Sequence, residues 1–476
     1  MARSDSDPAD AGPDLSGLPA GFVWGAATAA FQIEGDAEHR GDSIWDAFCR
    51  EPGRIADGSD GRVACDHVGR VREDVALLRD LGVDAYRFSI SWPRMTATGA
   101  GRLEPAGLAF YDRLVDLLLD AGIQPWATLY HWDLPLPLHE AGGWPARDTA
   151  ERFAEYATAV HAALGDRVRH WMTLNEPWCS AWLGYGSGRH APGVADHAQA
   201  ARAAHHLLLG HGRAVRAMRE QAPADHQLGI VLNLSGFGPA PSLGPEDAAR
   251  VEAAVAPLDG VQNRLWLDAV LEGRYPQDVL DLLSPALPGV VQDGDLAEIA
   301  APLDFLGVNY YNDQQLVPAD RSGEQPGSGG TGEHPGDEGL VSHPEGDDVT
   351  AMGWPVTPDG VRRMLVRIGT EHPAAPPLVV TENGSAYDED PADPLDDPRR
   401  VDYLLRHVRA LTEAVRDGAD VRGYFAWSLM DNFEWAEGYT KRFGLTRVDY
   451  DTLERRPRRS FETYRAIAAA QRAATP

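Results

Sequence analysis

The chain has 476 residues, 43% hydrophobic and 24% charged, which is ordinary globular composition. Acidic residues number 72 against 43 basic ones, and the formal net charge of −29 repels phosphate backbones and anionic lipid, arguing against nucleic-acid or membrane partners. The three cysteines, Cys49, Cys65 and Cys179, are too few and scattered for a disulfide framework, and none forms a CxxC pair of the kind a zinc ribbon needs.

Residues 1–17 are rich in Asp, Pro and Ser and read as a disordered tail. They lack the apolar core of a signal peptide, and no run of about 20 apolar residues follows, so the expected location is the cytoplasm. From Phe22 onward, strand-like and helix-like stretches alternate. Strands are expected at Phe22–Ala30, Ala85–Ser91, Gln124–Tyr130, His170–Leu174, Leu228–Leu232, Phe305–Tyr310, Leu378–Thr381 and Gly423–Ser428. Between them run helical patterns such as "REDVALLRDLG" and "LAFYDRLVDLLLDAG", with apolar residues three and four apart and a closing Gly. Eight strands separated by helices predict an α/β fold, a single closed (β/α)8 barrel with extended βα loops, over residues 18–470. The first strand is followed by "FQIEGD", without the GxGxxG turn of an open dinucleotide-binding sheet. Residues 318–348, rich in Gly, Pro and acids, read as a mobile loop inserted in that one domain.

Active sites of such barrels form where the strands end at their carboxyl side. Taken in chain order, those ends carry Gln32 and Glu34, then Arg87, His131 and Trp132, Asn175 and Glu176, Asn309 and Tyr311, and Glu382. The last strand brings Trp427, with Glu434 and Trp435 in the following loop. Acids and amides that hydrogen-bond hydroxyls, together with indole faces, suit a neutral polyhydroxylated ligand such as a sugar. No cluster of basic residues that could clamp a phosphate follows strands seven or eight. His131, Glu176 and Glu382 could in principle ligate a metal, but no metal-binding spacing such as HExxH is present, and neither metal nor cofactor is expected. His205, His206 and His211, on a helical pattern, read as packing residues.

"TLNEP" around Glu176 and "TENG" around Glu382 resemble the two signature motifs of glycoside hydrolase family 1. So do "FVWGAATAAFQIEG", "YRFSISWPR", "HWDLP", "NYY" and "WSLMDNFEW", in order from Phe22 to Phe461. The resemblance is closest to bacterial β-glucosidases and implies a retaining mechanism acting on small glycosides. Glu382 would be the nucleophile and Glu176 the acid/base, about 5–5.5 Å apart. Arg87 and Tyr311 would hold Glu382 ionised, and Asn309 would belong to the same catalytic group. Asn175 would bind the sugar 2-hydroxyl. The resemblance further implies that Gln32, His131, Trp132, Glu434 and Trp435 hold the sugar, that Trp427 stacks on it, and that Trp354 and Phe443 flank the substrate. Glu434 would repel a 6-phosphate, and Glu176 keeps the acid that thioglucosidases lack. A β-galactosidase, β-fucosidase or β-mannosidase on the same scaffold, or an inactive sugar-binding barrel, remain the alternatives. Nothing in the sequence sets the oligomeric state or the aglycone preference.

Overall fold

The computed structural model describes residues 13–474, apart from 285, 288, 321–334, 338 and 347. Eight parallel strands close into a barrel in chain order: β1 (Val23–Ala27), β2 (Ala85–Ser89), β3 (Gln124–Tyr130), β4 (His170–Asn175), β5 (Gln227–Asn233), β6 (Phe305–Asn309), β7 (Leu378–Asn383) and β8 (Val421–Trp427). Each of the eight expected strands is present, within a few residues of its expected ends.

Two apolar layers hold the barrel. The outward strand faces pack under helices such as His67–Leu81 and Pro105–Asp120, forming the larger core. The first of these ends at Gly82 in the left-handed conformation (φ 71°), and the second starts on Pro105, whose missing N–H is no loss at a helix start. Inside the barrel, Ala85, Trp126, Met172, Phe305, Val379 and Phe425 form a second cluster. Trp126 stands 5.0 Å from Phe425 and 5.3 Å from Phe305, ring centroid to centroid. Burying such large rings makes this layer a plug rather than a pore, and it floors everything at the carboxyl ends of the strands.

The register sets the functional ends level with one another. Ala27 pairs with both Trp427 and Arg87, and Glu382 pairs with Asn309, which also pairs with Asn233. After β7, Gly384 lies so close to β8 that a Cβ there would meet the Trp427 carbonyl oxygen at 1.8 Å. Only glycine lets "TENG" turn off the strand at that point.

Two expectations about the margins need correction. Within the expected tail, Leu15 is buried in the larger core and Asp14 pairs with Arg416 at 2.6 Å, because an apolar anchor and an ion pair tie residues 14–17 to the barrel. Residues 1–12 lie outside the described residues. The expected mobile loop of 318–348 is bounded by a small sheet. Gln314–Pro318 pairs in parallel with Phe237–Pro239 and antiparallel with Leu340–Ser342, where Leu340 and Val341 are buried. The middle of that segment, 321–334, lies outside the described residues. Among the described residues no helix is long and apolar enough to cross a membrane.

Candidate active site

At the carboxyl ends of the strands a cleft of about 280 Å³ opens, just under the usual range for ligand pockets. Two carboxyl groups meet in it. Glu382 lies in β7 and Glu176 follows the last residue of β4. Their surroundings differ. Arg87, from β2, donates from Nη1 to Glu382 Oε1 at 2.5 Å, and the Tyr311 hydroxyl donates to Oε2 at 2.7 Å. Both ion-pair partners are buried, where a charge is tolerated only if paired and hydrogen-bonded. Glu176 has no such cation. Asn309 Nδ2 donates to its Oε1 at 2.7 Å and the Cys179 thiol to its Oε2 at 3.2 Å. Burial, and then the charge of Glu382, raise the Glu176 carboxyl well above the ordinary range; its hydrogen bonds only partly oppose this.

A hydrogen-bonded chain fixes the orientation of the amides. Asn175 Oδ1 accepts from Arg87 Nη2 at 2.6 Å and from Asn309 Nδ2 at 3.1 Å. Its Nδ2 must therefore face His131 Nε2, 3.1 Å away. Burial and the nearby Arg87 charge hold His131 far below its usual pKa, so the ring is neutral. With Nε2 accepting, its proton sits on Nδ1, which has no protein partner. His131 thus presents a donor. Gln32 presents the opposite: its Nε2 is shared between Asn432 Oδ1 and the Phe433 carbonyl, both at 2.9 Å, and its buried Oε1 has no partner. Beside it stands Glu434, pushed up to about 8 by burial and by the charges of Glu382 and Glu176. A buried donor, a buried acceptor and a carboxyl that can act as either match hydroxyl groups, which themselves donate and accept.

Backbone strain is concentrated here. Of the seven non-glycine residues with positive φ among the described residues, three belong to the cleft wall: Trp132 (77°), Glu176 (45°) and Trp435 (50°). Holding such conformations costs of order 1–3 kcal/mol each, so the surrounding packing must dictate them. Trp435 is wedged between Phe31, Trp45 and Trp132, and the Trp132 indole donates to the Asn175 carbonyl at 3.0 Å.

All but three of the expected site residues lie on the cleft wall: His131, Trp132, Glu176, Asn309, Tyr311, Trp354, Glu382, Trp427, Glu434, Trp435 and Phe443. Gln32, Arg87 and Asn175 are fully buried directly behind that wall, each bonded to a residue in it: Glu434, Glu382 and His131 respectively. Glu34, also read from a strand end, does not join the cleft; it is held by Arg94 and Tyr111. The wall includes residues that the sequence reading passed over, among them Cys179, Asn233 and Ser235. Asn233 ends β5, the one strand whose end contributed nothing to the expected site. Cys179 stands three residues after Glu176, one helical turn along. His205, His206 and His211 are buried packing groups, bonded to Tyr275 and Asp295, to the Trp144 carbonyl, and to Thr173. Among the described residues, the one group of three possible metal ligands is Asp268, Glu272 and His372, away from the cleft, where Arg274 pairs with both carboxylates at 2.6 Å.

A family model described as glycosyl hydrolase family 1 matches residues 15–473. The thermostable beta-glucosidase B of Thermobispora bispora is 47% identical, with 96% of this chain and 92% of that one covered. The bifunctional beta-D-glucosidase/beta-D-fucosidase of Bifidobacterium breve is 46% identical, covering 95% and 98%. Among solved structures, a psychrophilic beta-glucosidase from Micrococcus antarcticus superposes with a TM-score of 0.89 at 46% identity, covering 96% of this chain and 99% of that one.

Proposed function

The chain belongs to glycosyl hydrolase family 1, and from that premise we propose that it is a retaining β-glucosidase, releasing terminal glucosyl residues from short β-glucosides such as cellobiose and aryl glucosides. One observation carries the assignment of roles: two buried carboxyls face one cleft, one against a guanidinium and a phenol, the other with no cation and a raised pKa.

A Glu382 oxygen attacks the anomeric carbon while the bond from that carbon to the leaving oxygen breaks. Glu176, protonated, gives its proton to that oxygen. The glycosyl–enzyme ester is then opened by water. Glu176, now ionised, takes a water proton as the water oxygen bonds to the anomeric carbon and Glu382 leaves as carboxylate. Inversion at each displacement gives retention overall. Arg87 and Tyr311 stabilise the Glu382 carboxylate and aim it, while Asn309 and Asn175 orient Glu176 and the 2-hydroxyl. Gln32, His131 and Glu434 take the remaining hydroxyls. Trp427 and Trp435 offer the ring faces, and Trp354 and Phe443 flank the substrate. A 6-phosphate would meet the buried carboxyl of Glu434, which offers no positive charge to pair with it.

The test is Glu382→Gly with azide. Turnover restored with release of the α-glycosyl azide supports the nucleophile; no rescue sinks it. A kcat/KM panel of aryl β-glucoside, β-galactoside, β-fucoside, β-mannoside and β-glucoside 6-phosphate tests the substrate. Fucoside turnover beside glucoside is the expected second activity, favoured by the bifunctional relative of Bifidobacterium breve. Galactoside or mannoside leading would overturn the sugar assignment and leave the mechanism.

A further inference from the structure

We propose that Cys179 is a positioning residue for the reaction: its thiol is the hydrogen-bond partner of the Glu176 oxygen that carries the transferable proton, and a thiol is required there because it is a weak one. The inference rests on the reading of Glu176 as acid/base.

Oε1 and Oε2 of Glu176 are not equivalent. Oε1 faces Asn309 Nδ2 at 2.7 Å. That amide cannot turn over to accept, because its Nδ2 also donates at 3.1 Å to Asn175 Oδ1, which Arg87 holds as an acceptor, while its Oδ1 accepts from the Thr381 hydroxyl at 2.7 Å. Oε1 therefore always meets a donor and is the disfavoured seat for the proton. Oε2 is left to carry it, and the group beside Oε2 is Cys179 Sγ at 3.2 Å. A thiol is a weak donor and a weak acceptor. It bonds the bare oxygen when Glu176 is a carboxylate, and it does not hold that oxygen's electrons strongly enough to empty the acid form.

Placement makes the contact dependable. Cys179 opens a buried π-helical segment, Cys179–Gly186, and its backbone N–H donates to the Glu176 carbonyl at 3.0 Å. The positive φ of Glu176 and this turn together fix the side chain one turn away. Both residues line the cleft, so the thiol touches the proton-carrying group without touching the nucleophile's cation.

The experiment compares Cys179→Ser, Cys179→Ala and Glu176→Ala with the parent enzyme. The readouts are the pH profile of kcat/KM and the ratio of kcat/KM on phenyl and 2,4-dinitrophenyl β-glucosides, which isolates the glycosylation step from the later attack of water. A hydroxyl is the stronger donor, so Cys179→Ser moves the alkaline limb down by about 0.5 pH unit; Cys179→Ala, which removes a donor to the charged form, moves it up by a few tenths, roughly. Both slow the phenyl glucoside, which needs its leaving oxygen protonated, about 3–10-fold more than the dinitrophenyl glucoside, which does not. Equal losses on the two substrates with an unmoved limb would mean that Cys179 only fills space, and would overturn the proposal. Limbs moving in the same direction for Ser and Ala would overturn it too. Glu176→Ala separates the two ideas: if it slows both substrates alike, the acid/base assignment itself fails. If it spares the dinitrophenyl glucoside while the cysteine variants show no such ratio, only the role of Cys179 fails. Melting temperatures of all three variants check folding, and Cys179→Ser, nearest in size, keeps the test open if the alanine variant is unstable.

Discussion

Glu34 and Glu382 are held in nearly the same way, yet one of them is sealed and the other is exposed to a ligand. Each is a buried glutamate on the carboxyl side of the barrel, Glu382 within β7 and Glu34 seven residues beyond the end of β1, after a short helix at Ala30–Ile33. Each takes an arginine on one oxygen and a tyrosine hydroxyl on the other. Arg94 Nε donates to Glu34 Oε2 at 2.8 Å and Tyr111 to Oε1 at 2.5 Å; Arg87 and Tyr311 repeat the pattern at 2.5 and 2.7 Å around Glu382. The difference lies in what surrounds each set. Arg94 spends its remaining donors on the Gly35 carbonyl and Asp36, and Glu34 does not reach the cleft. Arg87 reaches Asn175 with its second nitrogen, and Glu382 faces open volume with a second carboxyl across it. Contacts alone do not distinguish a structural carboxylate from a reactive one. Access, and a second carboxyl across the opening, do.

Replacing each glutamate by glutamine tests this most severely. If Glu382 is the nucleophile as proposed, Glu382→Gln lowers kcat by roughly 10⁴-fold or more, with Tm changed by only a few degrees. Glu34→Gln leaves Arg94 buried without its full partner, a loss of about 3–5 kcal/mol by analogy with broken buried pairs, while the surviving folded enzyme keeps kcat within several-fold. Thermal unfolding and kcat on one aryl glucoside suffice. A Glu34→Gln enzyme that is stable and inactive would break the comparison.

The tyrosines should divide along the same line with smaller effects. Tyr311→Phe removes a hydrogen bond made to the proposed nucleophile and is expected to cost roughly 10–100-fold in kcat, since a charge-assisted bond contributes about 1.5–3 kcal/mol. Tyr111→Phe removes the same bond from Glu34 and also strands the Ser91 N–H, which donates to the Tyr111 oxygen at 2.7 Å. Its loss should appear in Tm and not in kcat. Equal kcat losses for the two variants would show that the Glu34 cluster reaches the chemistry.

This pairing also explains what the sequence could and could not disclose. The strands were legible because each is a short apolar run closed by a turn or helix signal, and closure followed from their number and alternation. That Glu176 and Glu382 would share one cleft was legible from "NEP" and "TENG" at strand ends. Glu34 was read from a strand end too, and nothing in "FQIEG" says that Arg94 and Tyr111, far along the chain, will seal it. Cys179 and Asn233 were missed for the reverse reason: a small thiol and a lone amide carry no charge or motif, and only the fold shows them facing the cleft. Leu15 and the Leu340–Ser342 strand fell inside polar, Gly- and Pro-rich stretches, where composition averaged over 17 or 31 residues hides a two-residue anchor.

Glu434 sharpens the comparison from a third side, because it is a buried carboxyl with no arginine in ion-pair range among the described residues. Gln32 reaches it only at 3.4 Å. Its pKa is pushed up to about 8 in the fold, first by burial and then by Glu382 and Glu176. In the unfolded chain a glutamate titrates near 4.3. Between those values the native state keeps a proton that the unfolded chain has released, so this group's contribution to stability falls as pH rises from about 4.5 to about 8. Glutamine at position 434 mimics the protonated form at every pH. Glu434→Gln is therefore expected to raise Tm by about 2 °C at pH 8 and to leave it unchanged near pH 4.5, while kcat/KM falls because a hydroxyl partner is weakened. Unfolding curves for parent and variant at the two pH values measure the difference directly. A Tm that drops at pH 8 would mean the carboxylate is stabilised by its surroundings after all, and that burial without an arginine does not separate Glu434 from Glu34 and Glu382.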